Sequence, residues 1–343
     1  MKYRTLGRTG LRISEVSLGG HEYRRRHLVK DGRFTELNPD RPKIIATAIE
    51  MGVNYFDTTY TEEAQSLGAT LKTLGVQRDK VYLSGMSIDL LARLGDREPS
   101  EWKAYIVSEV EERLNLFHSD YVDVFQICAM ESGFSQDRLE FALETLRNMQ
   151  QQGKIRWVGS SAHNPELLAK VIDEQNPIDM CQTPINFNKG VCEPLLNAVR
   201  KHNVGLIAIK PFVWFDYGMP FLPVCQKIID DHGLNRATAA QMAIRWILSH
   251  EEIAAIVPGC NSEAEVIENA RASDLPPDCI DFSLLSACRD IPDRIEEMID
   301  LIDHPHAEVA SYSHERVANA VGCDYGKDKE KYLEAWRAKR QKE

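Results

Sequence analysis

Two hydrophobic rhythms alternate along the chain. Short β-prone runs are followed by longer stretches whose apolar residues recur at helical spacing. The opening Tyr3-Arg-Thr-Leu-Gly-Arg-Thr-Gly-Leu-Arg-Ile-Ser14 reads as a hairpin of two short strands around Gly7 and Gly10. Strand-like runs then fall at 16–20, 53–56, 81–84, 121–127, 155–159, 178–182, 204–209 and 253–257. Helical patterns follow them at 41–51, 63–74, 100–116, 138–151, 165–174, 192–202, 222–231 with 237–249, and 262–272. Ile44, Ile45, Ala48 and Met51 carry the first of these, and residues 21–40 before it read as a long loop.

Alternation on this scale predicts parallel strands joined by helical crossovers. Eight strand–helix units predict an α/β fold of the closed (β/α)8 TIM-barrel type, with an N-terminal β-hairpin. The alternative is an open doubly wound sheet. No G-x-G-x-x-G follows the first strand, which weakens its dinucleotide-binding form. The barrel accounts for residues 1–275. Residues 276–343 form a C-terminal extension, helical in pieces (282–301 and 328–342), packed on or beside the barrel.

In such barrels the chemistry gathers at the C-terminal ends of the strands. Strand 1 offers His21, Glu22 and Tyr23, and strand 2 offers Asp57 and Tyr60. Strand 3 offers Met86 and Ser87, and strand 4 Cys128, Met130 and Glu131. Ser161 and His163 follow strand 5, Gln182 and Asn186 strand 6, Lys210 and Phe212 strand 7, and Gly259, Cys260 and Asn261 strand 8. Each has a structural reading as turn chemistry, but so many polar groups at strand ends are hard to explain as packing.

Composition narrows the function. At 43% hydrophobic and 27% charged the chain reads as globular, and its net charge of −11 argues against nucleic acid or acidic membranes as partners. The start has no apolar signal core, and no apolar run approaches the roughly 20 residues of a membrane span. Eight scattered cysteines without a C-x-x-C pair read as buried thiols in a reducing cytoplasm.

Over roughly residues 1–275 the chain resembles an aldo-keto reductase. The resemblance rests on the opening hairpin sequence, Asn54-Tyr-Phe-Asp-Thr58, Arg78-Asp-Lys-Val81 and Asp120-Tyr-Val-Asp-Val-Phe-Gln126. It continues through Gly153-Lys-Ile-Arg-Trp-Val-Gly-Ser-Ser161, Pro258-Gly259 and Glu268-Asn269, in order at the right strands. It implies a nicotinamide cofactor across the barrel mouth and hydride transfer between it and a carbonyl or alcohol. It also implies a tyrosine acid supported by a lysine, an aspartate and a histidine.

That tetrad is broken here. The aspartate matches Asp57, and the tyrosine matches Tyr60 across a loop shorter by two residues. Met86 stands at the lysine position and Cys128 at the histidine position. A phenol is a weak acid, and the lysine's charge is what fits it to proton transfer. His21, His163 and Cys128 become candidates for a replacement acid/base set, or for a metal site with Asp57.

For the cofactor, the resemblance implies Ser161 and Gln182 at the nicotinamide amide, with Lys210, Gly259, Cys260, Asn261, Glu268 and Asn269 around the rest of the nucleotide. Glu265 stands where NADP-binding relatives place an arginine for the 2′-phosphate. A carboxylate there favours NAD(H) over NADP(H). The insert His21-Glu-Tyr-Arg-Arg-Arg-His27 could meet an anionic small-molecule substrate, or be a solvated loop. Ala208-Ile-Lys-Pro-Phe212 is similar to a branch of the family that carries a C-terminal iron–sulfur module. Cys279, Cys288 and Cys323 are too dispersed for that module, so no cluster is expected. Two other classes stay open: a barrel that binds a nucleotide or metabolite without redox turnover, and a non-redox lyase or isomerase.

Overall fold

The computed structural model describes residues 1–20, 29–30, 33–34, 40–128, 135–175, 177–187, 190–212, 237–260 and 262–276. His21, Arg24–Arg26, Met130, Glu131 and Asn261, the helical pattern at 222–231 and the extension from 277 onward lie outside them.

The first hairpin pairs β1 (Tyr3–Thr5) with β2 (Arg12–Ser14). A two-residue ribbon, β3 (Val29–Lys30) with β4 (Arg33–Phe34), falls inside the stretch expected to be loop. Seven strands then pair in parallel in chain order. They are β5 (Tyr55–Asp57), β6 (Tyr82–Ser87), β7 (Val122–Cys128), β8 (Ile155–Ser161), β9 (Met180–Pro184), β10 (Gly205–Ile209) and β11 (Ile253–Val257).

The segment around Val16–Leu18 closes the ring. Val16 bridges Ile256 of β11 and Leu18 bridges Phe56 of β5, both in parallel. Ser17 N–H donates to the Ile256 carbonyl at 2.9 Å, and Asp57 N–H to the Leu18 carbonyl at 2.9 Å. This segment is the eighth strand of a closed barrel.

Helices α1 (Arg41–Glu50), α2 (Thr61–Thr73), α3 (Leu90–Gly95), α4 (Trp102–Phe117), α5 (Gln136–Gln151), α6 (Pro165–Gln175), α7 (Glu193–His202), α8 (Ala239–Leu248) and α9 (Glu263–Arg271) are the described helices of the outer layer. Their ends follow local chemistry. Pro165 opens α6, and Asn164 Oδ1 accepts from Leu167 N–H at 2.9 Å. His118 and Asn203 take the left-handed conformation just past α4 and α7. Thr238 and Gln241 cap α8 reciprocally. The short α3 was not expected; its Leu90, Leu91 and Leu94 are buried.

Side chains two residues apart on a strand share a face. Inside the barrel this builds layers. Leu6, Leu11 and Ile13 of the hairpin region pack with Tyr55, Val124, Met180, Ile207 and Ala255, so the hairpin plugs the base. Acidic staples tie that end. Asp123 is wholly buried and accepts from Arg78, Arg156 and Leu83 N–H, while Asp179 accepts from Arg147 and Val158 N–H. One step up each strand, the inward layer turns polar.

Candidate functional site

That polar layer is Asp57, Ser84, Gln126 and Gln182, each two residues beyond the apolar layer on β5, β6, β7 and β9. All four are buried, Asp57 to 6% exposure. Gln126 Nε2 donates to Asp57 Oδ1 at 3.1 Å and to Ser84 Oγ at 2.7 Å. Gln182 Nε2 donates to Asp57 Oδ2 at 3.3 Å. Gly159 makes room for this arrangement: a Cβ there would sit 2.5 Å from Met180 Sδ and 3.0 Å from Gln126 Cγ.

Asp57 is therefore a carboxyl in a cradle of neutral donors. Burial pushes its pKa up to about 6. Hydrogen bonds from Ser84, Gln182 and Gln126 offset part of that rise, and the nearby Glu63 charge adds to it. Tyr55, one layer below, is held well above the usual phenol range by burial first and by the Asp57 charge second. Neither Met86, which is buried, nor the half-buried Cys128 brings a positive charge to this layer.

Tyr60 sits half-buried at the N-cap of α2. Glu63 fixes the loop that leads to it. Its buried Oε2 accepts from Thr59 N–H at 2.7 Å and from Tyr60 N–H at 3.3 Å. Gly20 closes over this carboxylate, since a Cβ there would lie 2.4 Å from Glu63 Oε2. The first residue of α1, Arg41, is also buried, and its pKa is lowered by burial and partly restored by Glu63 and Cys260.

Ser161 and Gln182 are register partners on β8 and β9. Gln182 Oε1 is buried and has no hydrogen-bond partner in the protein, while its Nε2 is tied to Asp57. Just past β10 and β8, the strands on either side of β9, Lys210 Nζ lies 3.0 Å from His163 Nε2.

At the β11 side, Ser262 Oγ caps α9 by accepting from Glu265 N–H at 3.2 Å. Glu263 and Glu265 stand in the first turn of that helix, and Glu265 is half-buried. Asn269 is buried and donates to Cys260 Sγ at 3.3 Å, and the Glu268 carbonyl accepts from Gln241. The first bond ties the β11–α9 turn to its helix, and the second joins α8 to α9. Among the described residues, no group of three or more His, Cys, Asp or Glu side chains is arranged to hold a metal ion.

Ser84, Gln126 and Glu63 were not among the expected site residues. The period-two pattern running down from Met86 and Cys128 would have found the first two.

The Aldo/keto reductase family profile matches residues 29–214, more than half of the chain. The chain belongs to the aldo/keto reductase family. It is 22% identical over 307 residues to "Uncharacterized oxidoreductase YqkF" of Bacillus subtilis (strain 168), spanning 80% of this chain and 92% of that protein. It is 24% identical over 295 residues to the L-galactose dehydrogenase of Arabidopsis thaliana, spanning 79% and 88%. Among solved structures, the aldo-keto reductase AKR11C1 from Bacillus halodurans in its holo form matches with a TM-score of 0.62 at 20% identity, over 81% of this chain and 92% of that one. Membership makes the chain an oxidoreductase of the aldo/keto reductase type. The fold likeness supports the closed barrel. No helix among the described residues is long and apolar enough to cross a membrane.

Proposed function

We propose that this aldo/keto reductase binds a nicotinamide nucleotide, NAD(H) in preference to NADP(H), and interconverts a small carbonyl compound and its alcohol. The observation that carries the reading is Gln182. Its Nε2 is anchored on Asp57, so its buried Oε1, without a protein partner, is left as the acceptor a carboxamide N–H needs. Ser161 stands beside it in register, and the pair would hold the nicotinamide amide. The cofactor supplies or receives the hydride. Asp57 acts through Gln182: its ionised form fixes which end of that amide faces away from the carboxylate. Tyr60 is the proton donor in this reading.

Nucleotide preference rests on α9. Two carboxylates, Glu263 and Glu265, occupy its first turn, and like charge there disfavours a 2′-phosphate. Glu265 can instead accept from a ribose hydroxyl. Backbone groups at Gly259 and Cys260 complete the nucleotide side; the Cys260 thiol itself is taken up by Asn269.

Protein-fluorescence titration with NADH and NADPH tests this. NADH binds in the micromolar range, NADPH binds more weakly, and Gln182→Leu weakens NADH by about tenfold, the size of one buried hydrogen bond. Tighter NADPH would overturn the preference. Failure of both nucleotides to bind would overturn the reading as a whole.

A further inference from the structure

Two amides hold Asp57, and they are not themselves held alike. Gln126 Nε2 donates to Asp57 Oδ1 at 3.1 Å and also to Ser84 Oγ at 2.7 Å. Among the described residues, Gln182 Nε2 has a single acceptor, Asp57 Oδ2, at 3.3 Å. Both glutamines are buried, and among the described residues neither Oε1 accepts a hydrogen bond. Turning the Gln126 amide over requires Ser84 to reverse its hydroxyl as well. Turning Gln182 disturbs only its bond to Asp57.

A carboxylate only accepts, whereas a carboxylic acid has a hydrogen to place. On Oδ2 that hydrogen meets the Gln182 N–H, and two donors facing each other in a buried layer are costly. Half a turn of the Gln182 amide brings Oε1 to the acid and carries Nε2 to the place Oε1 had held. The oxygen and nitrogen of an amide are close in size, so the turn leaves the packing as it was. Gln182 then shows a donor, in place of an acceptor, on the Ser161 side.

We propose that Asp57 is a proton-linked positioning residue for the cofactor: ionised, it keeps Gln182 Oε1 toward the nicotinamide amide, and protonated, it draws Oε1 to itself and weakens nucleotide binding. The assignment rests on the nicotinamide reading above and adds control of that site by pH. Burial places the change within reach, since it raises Asp57 to about 6. The titratable and charged groups around Asp57 are Tyr55 on its own strand and Glu63 of α2, which faces Arg41 of α1. Asp123 of β7 faces Tyr55, and His163 and Lys210 stand past β8 and β10.

The test uses the full chain as wild type, Asp57→Asn, Gln182→Leu and His163→Gln. Protein fluorescence follows binding of NAD⁺, which is stable in mild acid, from pH 5 to pH 8. One buried hydrogen bond is worth about tenfold, so with a midpoint near 6 the wild-type Kd is about fivefold higher at pH 5 than at pH 8. By linkage, binding near pH 5.5 releases about half a proton per nucleotide, read by calorimetry in buffers of different ionisation enthalpy. Asp57→Asn and Gln182→Leu lose both effects. Histidines titrate in the same range, so His163→Gln is the control and keeps both. A pH dependence that survives in Asp57→Asn and vanishes in His163→Gln would overturn the assignment. A Kd that is constant with pH would overturn it too, with the nicotinamide reading left standing. No binding at any pH would overturn that reading, and with it the effect on affinity.

A second measurement needs no nucleotide. The side-chain amide resonances of Gln182, assigned with Gln182→Leu, are followed by NMR beside the Asp57 carboxyl carbon as pH is varied. Shifts with a common midpoint in wild type, absent from the Gln182 amide in Asp57→Asn, support the turn. A Gln182 amide indifferent to pH, or a response confined to Gln126, refutes it.

Discussion

Asp57 is the most exacting test of the site, because among the described residues only neutral side chains donate to its carboxyl. Its pKa rises from the ordinary 3.8 to about 6 on folding. Folding therefore favours the protonated form. The group's contribution is fully present below pH 3.8 and is lost as pH rises through about 6. At about 1.4 kcal/mol per tenfold change in proton affinity, ionised Asp57 destabilises the fold by about 3 kcal/mol at pH 8, against about 1.5 kcal/mol at pH 5. Asp57→Asn is close to isosteric and does not titrate. Its amide introduces new hydrogen bonds with Gln126 and Gln182, but that offset is independent of pH. The quantity to read is thus the change in the variant's advantage between two pH values. Urea unfolding of both proteins at pH 5 and pH 8 should show the advantage of Asp57→Asn growing by about 1.5 kcal/mol. An advantage that is constant with pH would mean that Asp57 is not held in a desolvated neutral cradle. One that shrinks toward pH 8 would mean a cation faces it.

Four further outcomes follow from the same structure. Met86→Lys puts an ammonium two residues above Ser84 on the same strand face. It should bring the Asp57 pKa below about 6 and shrink the growth of the Asp57→Asn advantage between pH 5 and pH 8 when the comparison is repeated in the Met86→Lys background. Asp123→Ala strips Arg78, Arg156 and Leu83 N–H of their shared acceptor and should cost about 3 kcal/mol in urea unfolding, where a loss within the scatter of surface substitutions would refute the staple. Gly159→Ala forces Met180 and Gln126 apart, so a destabilisation of about 1–3 kcal/mol with weakened NADH binding is expected; unchanged binding would separate Gln126 from the site. Burial holds the Cys181 thiol up to about 12, so iodoacetamide at pH 8 should leave it unlabelled until urea unfolds the chain, as peptide mass spectrometry would show.

The barrel was legible because its signal is repeated. Each barrel strand lies within a few residues of its expected place, and the apolar faces of the described helices are buried against the sheet. Errors fell where a local rule was overridden or too weak. The third strand was expected at 81–84, yet pairing with β7 carries β6 on through Gly85 and Met86 to Ser87. The α3 helix is only six residues long, too short for helical periodicity to register. The ribbon at 29–34 spans an Asp31-Gly32 dipeptide, a hairpin signal that the long-loop reading passed over. The site was half legible. Strand ends supplied Asp57, Ser161, Gln182, His163 and Lys210. The missing partners, Ser84 and Gln126, share the layer of Asp57, two residues below Met86 and Cys128, and only the meeting of β5, β6, β7 and β9 reveals that they hold it. No local pattern encodes a bond between Gln182 and Asp57, 125 residues apart.

These observations connect two departures that look independent in the sequence. A lysine at position 86 would have faced a charged aspartate in the inner layer. Without it, an ionised carboxyl in a buried layer is costly, and the chain meets that cost with neutral donors that tolerate either protonation state. Gln126 and Gln182 can each present an N–H to the carboxylate or a carbonyl oxygen to the acid, and both Oε1 atoms are buried without protein partners. In the reading proposed above, the inner layer orients the nicotinamide amide through Gln182 and brings no charge of its own to the carbonyl. On that reading, with Met86 and Cys128 at the lysine and histidine positions, polarisation of the substrate carbonyl is weak. Slow turnover of simple uncharged aldehydes is its direct kinetic consequence.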